Sequence, residues 1–136
     1  MAGAIPQDDP TIKDEDRLFR CVQPIPSQLV TEADGSKRPS SAVFRDSELS
    51  VNIESAMVAQ GRSPETMLAA WPGAGITAIV VCTIRNYDRE RNESHPIVRD
   101  GDPPNDPAHG LVLGKKTSAF ANAMRRSHTW VVAPPA

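Results

Sequence analysis

The 136-residue sequence has no excess of either charge, few aromatics, two cysteines and no long apolar run. Fifteen Lys and Arg stand against 17 Asp and Glu, for a formal net charge of -2. Dedicated binders of nucleic acid or anionic membrane carry clustered basic excess, so both classes are disfavoured. Three Phe, two Trp and one Tyr make a poor base-stacking platform, which points the same way. The most apolar stretch, residues 76–84, is about half as long as a bilayer span requires, and no membrane-spanning helix is expected. Residues 1–10 lack the basic start and apolar centre of a secretory signal, so the expected location is cytoplasmic. Cys21 and Cys82 each sit inside an apolar run without a CxxC partner, and buried free thiols are expected rather than a disulfide or zinc site. GxGxxG, GxxxxGK[ST], HExxH, GxSxG and EF-hand patterns are all missing, and no cofactor or metal is expected.

What the sequence does have is proline. Thirteen prolines, roughly twice the average share, cluster near 6–10, 24–26, 103–107 and 134–135. Each fixes φ and removes a donor, so ordered elements must be short and lie between the clusters. Residues 17–22 read as a strand, and 31–39 as a turn leading to a second strand over 41–45; 49–53 is a third candidate. Residues 53–60 suit a short helix stopped by Gly61, and Ser63-Pro64-Glu65 opens another that runs to Trp71. Residues 76–84, β-branched and apolar on both faces, predict a central strand, and the polar run 86–94 a solvated loop. An edge strand at 96–99, a loop over 100–107 and a strand over 108–114 follow. Thr117 then caps a helix with Phe120, Ala123 and Met124 on one face. Trp71 and Phe44 read as core. The expected fold is one small α+β domain over 15–132, with a mostly antiparallel sheet, a short middle helix, a C-terminal helix, and loose tails at 1–14 and 133–136.

Several polar residues are candidates for chemistry. His109 opens an apolar segment behind a stiff Pro-rich loop, which suits either a hydrogen bond to a loop carbonyl or a general base. His95 falls in a polar loop and His128 at a helix end, where a cation is favoured. Arg20, on the face of Leu18, needs an anion, from the protein or a ligand. Ser50, Asn52 and Glu54 would form one polar row on a strand, with Arg45 nearby, facing solvent or a ligand. Gly114-Lys115-Lys116-Thr117 between strand and helix is either a glycine turn with solvated lysines or an anion contact.

The segments Arg17-Leu18-Phe19-Arg20, Ser40-Ser41-Ala42-Val43-Phe44-Arg45, Leu49-Ser50-Val51-Asn52 and Asp106-Pro107-Ala108-His109-Gly110, with a late Trp130, resemble a group of small bacterial proteins to which no activity attaches. That resemblance covers about 16–132 and implies no mechanism. Two functional readings follow. The first is a bacterial accessory or interaction domain with a protein partner. The second is a compact toxin- or effector-type enzyme acting on a nucleotide-like ligand such as NAD. The strand arginine, serine, Glu54 and late histidine resemble ADP-ribosyltransferase folds, including RES-type toxins. That resemblance implies Arg20 on a phosphate, Ser50 on a ribose, Glu54 against oxocarbenium charge and His109 on the nicotinamide ribose.

Overall fold

The computed structural model describes residues 7–101 and 106–135, which form a six-stranded sheet, a separate two-stranded hairpin and three helices. In chain order the elements are β1 (Arg17–Val22), β2 (Leu29–Thr31), β3 (Lys37–Pro39), β4 (Leu49–Ile53), α1 (Glu54–Ala59), β5 (Gly75–Val80), α2 (Val81–Arg91), β6 (Ile97–Arg99), β7 (His109–Val112), α3 (Ser118–Ser127) and β8 (Thr129–Val132). The large sheet has the order β6-β7-β4-β1-β5-β8, and every pairing in it is antiparallel. The α+β architecture read from the sequence is the one observed.

Alternation along β1 divides the core in two. Leu18 and Val22 turn toward α2 and α3, where Val51, Ile53, Ile79 and Val112 from neighbouring strands meet Ile84, Tyr87, Phe120 and Met124. Phe19 faces the other way and joins Ile76, Ala78, Met57 and Ala108, under the half-buried Met67 and Leu68. The second face is covered by less: α1 is six residues long, and Pro64–Leu68 is a single 3-10 segment.

Several expected boundaries shift for identifiable reasons. The 76–84 run is a strand only to Val80; α2 begins at Val81 and carries straight through the expected loop at 86–94. Val81, Ile84 and Tyr87 recur at three-residue spacing and are buried, while Asn86, Arg89 and Glu90 are exposed. The helix shows no N-terminal signal because backbone carbonyls supply its cap: Val81 N–H donates to Asp16 O and Cys82 N–H to Asp14 O. Asn92, at φ 53°, ends it in the left-handed region. The strand expected over 41–45 is a 3-10 turn, Ser41–Phe44, and the hairpin partner lies earlier, at Lys37–Pro39. Glu54 starts α1 rather than extending β4, so the row Ser50, Asn52, Glu54 is broken after Asn52. Gly61, at φ +69°, lies just beyond α1, and Thr117 Oγ1 accepts from Phe120 N–H to cap α3, both as read.

The amino-terminal stretch packs against the domain. Ile12 is fully buried, Asp9 N–H donates to Ile97 O, and Ile97 N–H donates to Asp8 Oδ1 along the outer side of β6. Arg85 holds this arm through Asp8 Oδ2 at 2.8 Å, Asp14 Oδ1 at 2.7 Å and the Asp9 carbonyl at 3.2 Å. Residues 1–6 of the expected tail, and 102–105 of the expected loop, lie outside the described residues.

Candidate functional site

Three of the candidate ligand-binding residues, Arg20, Ser50 and Asn52, line one depression on the thinly covered face of the sheet, together with Cys21, Gln23, Gln28, Met67 and Trp71. Antiparallel registry explains the grouping. Phe19 pairs with Asn52, and alternation brings Ser50 and Cys21 to the same side. Trp71, expected in the core, is 47% exposed at the rim, because the chain turns through Pro72 and Gly73 before entering β5. The volume, about 230 Å³, is below the range of small-molecule pockets, roughly 300–1,000 Å³. It accommodates a side chain more readily than a dinucleotide.

Arg20 belongs to this depression by its place in β1, but its guanidinium lies on the opposite face with Leu18. Nε donates to Val43 O at 2.8 Å, one terminal nitrogen to Ser50 O at 2.9 Å, and the other to Asp46 Oδ2 at 3.1 Å. Burial pushes its pKa down, and Asp46 offsets this only in part. The anion that Arg20 requires is thus supplied by the protein. The depression contains no carboxylate and presents no free charge. Its polar groups are amides and a hydroxyl, with Asn52 Nδ2 leaning on Asp106 Oδ2 at 3.4 Å. Burial pushes the Cys21 thiol up, so it is a poor nucleophile at neutral pH.

Glu54 and His109 do not line this depression. Glu54 is held by Arg17 in a two-point pair, Nε to Oε1 at 2.9 Å and a terminal nitrogen to Oε2 at 2.6 Å, and this hydrogen bonding holds its carboxyl below the usual range. His109 opens β7 opposite Asn52, with Nδ1 at 3.2 Å from Asp100 Oδ2 but without hydrogen-bond alignment.

Arg45, Lys115 and Lys116 gather at a second place, before α3. Arg45 donates to Ser118 Oγ at 3.2 Å, and Lys115 is exposed. Lys116, read as a solvated or anion-binding cation, is buried at 9% exposure. Its ammonium donates to the carbonyls of Val112 and Gly114 at 2.7 Å and of Ser47 at 3.1 Å. Burial lowers its pKa to about 8.

Two residues have roles that the sequence did not disclose. His95 is 3% exposed: Nδ1 meets Asp88 Oδ1 at 2.5 Å, Nε2 meets Lys115 O at 3.0 Å, and the ring stacks on Phe120 at 4.1 Å. Both ring nitrogens are occupied, so it ties the α2–β6 connection to the segment before α3. Only the seven-residue spacing of Asp88 and His95 hinted at the pair, and the charged run around Asp88 masked it. Arg62 grips both Asp106 carboxylate oxygens at 2.6 Å, a partnership across 44 positions that no local pattern signals. His128, expected as a helix-end cation, is instead shifted down by burial and by Arg125, with Nδ1 on Thr77 Oγ1 at 2.9 Å. Among the described residues no cluster of His, Cys, Asp and Glu is suited to hold a metal, and no helix is long and apolar enough to cross a membrane. Comparison with protein-family models, curated proteins and solved structures finds no match to this chain.

Proposed function

We propose that this chain is a small accessory domain that works by holding a partner protein, with the Trp71 depression as its docking point. The observation that carries the reading is an aromatic ring 47% exposed above an uncharged hollow. Tryptophan at the edge of a side-chain-sized hollow is the composition of an interface hot spot, and the Gln23, Gln28, Ser50 and Asn52 groups around it supply a polar rim. The enzymatic alternative draws no comparable support. Arg20 and Glu54 are bound to protein groups, and Glu54 and His109 stand outside the hollow.

The test is affinity capture from the native host with wild-type and Trp71→Ala baits of equal folded content, followed by reassembly from purified components. Retention of one protein by the wild type, lost with the variant and reproduced in reassembly, is the expected result. Equal capture by both baits rejects the docking point, and NAD hydrolysis by the pure chain rejects the non-enzymatic reading.

A further inference from the structure

The Trp71 depression does not end at Trp71. Gln23, on its rim, is followed by Pro24, and beyond that begins a second, open depression of about 670 Å³ lined by Ile25, Val30, Lys37, Gly73 and Pro135. The two adjoin along the chain, since Gln23 and Trp71 line the first while Pro24 and Gly73, one and two residues further on, line the second. Taken together as one groove, they reach from Asn52 and Trp71 to Leu29, Val30, Thr31 and Lys37 of the β2–β3 hairpin. Its apolar floor and amide rim suit an extended segment rather than a helix, whose diameter of roughly 10 Å calls for a wider trough.

Charge narrows the occupant further. Seventeen residues of the chain are Asp or Glu, yet none of the ten residues around the first depression or the nine around the second is acidic. Arg20 is spent on Asp46 and two carbonyls across the sheet. Lys37 is then the remaining cation of the groove, its Nζ resting on the neutral Thr31 Oγ1 at 3.0 Å. We infer that the partner segment is an extended peptide with an apolar anchor beside Trp71 and an acidic side chain, or a terminal carboxylate, that reaches Lys37. This inference rests on the docking reading proposed above and specifies its ligand.

A library of random linear peptides displayed on phage, selected against the full chain, is the probe. The expected consensus is one large apolar residue with Asp, Glu or the free carboxyl terminus to one side. A synthetic consensus peptide is then titrated by fluorescence polarisation. Trp71→Ala should weaken it by roughly 30-fold, as for an interface hot spot. Lys37→Gln should weaken it about 3-fold, as for an exposed ion pair, and should have no effect on the peptide whose acid is replaced by its amide. Binding that depends on Trp71 but is indifferent to Lys37 and to the acid overturns the acidic ligand and leaves the docking reading standing. A selection with no Trp71-dependent peptide, or a concentration-dependent dimer that Trp71→Ala abolishes, overturns both, the latter by making a second copy the occupant.

Discussion

At the scale of single residues, the buried cation of Lys116 is the most exposed to test. Its ammonium sits on three carbonyls with no carboxylate in hydrogen-bond contact, and Asp46 and Asp88 favour its charge from further away. Replacing it by methionine keeps the stem but leaves three acceptors without a donor, and should cost about 1–3 kcal/mol in urea unfolding at neutral pH. The pH dependence has a definite sign. With a folded-state pKa of about 8 against 10.5 for the unfolded chain, the unfolded state binds more protons between those values. The burial penalty is therefore complete below pH 8 and is relieved as pH rises toward 10.5. The stability of the wild type relative to Lys116→Met should accordingly grow between pH 8 and 10. A flat difference across that window would mean that the ammonium is not desolvated as described.

At the scale of elements, Asp16 starts two helices. Its carboxylate accepts from Ser55 N–H at 3.1 Å and Ser55 Oγ at 2.5 Å, capping α1, while its carbonyl caps α2 through Val81. Asp16→Ala removes the first cap and should cost about 1–2 kcal/mol, with amide hydrogen exchange faster in the first turn of α1 and little changed in α3. Non-local capping is also why the sequence concealed these boundaries. The signals that it did carry are local ones. Thr117 sits one residue before the helix that it caps, Gly61 just after the helix that it ends, and the strands of β1 and β4 announce themselves by alternation. The start of α2 depends on Asp16 and Asp14, 65 and 68 positions before the residues they cap, so 76–84 read as one strand. The candidate site was legible to the same extent. Ser50 and Asn52 share a face because strands alternate, whereas the disposal of Arg20 on Asp46 and of Glu54 on Arg17 depends on tertiary contacts.

At the scale of the whole molecule, the sheet closes one of its edges with its own beginning. The arm from Asp8 to Ile12 covers β6, and Arg85 clamps it from α2. A loose tail would tolerate any substitution here, but Ile12→Ala should destabilise the domain by about 2–4 kcal/mol, because a fully buried isoleucine leaves a cavity that the surrounding core fills only in part. Chemical denaturation of the variant measures this directly, and a loss under 0.5 kcal/mol would show that the arm is not anchored by that side chain.

The same arm sets a timetable for synthesis. Asp8 and Ile97 are partners 89 positions apart, and β1, the strand at the centre of the sheet, pairs with β5 from beyond the first half of the chain. On the ribosome, residues 8–12 wait for β6 to be made before these contacts exist. Loop closure over such spans is slow, so Ile12 and the strands of β1 and β4 should need shelter on the nascent chain until β5 and β6 have been made.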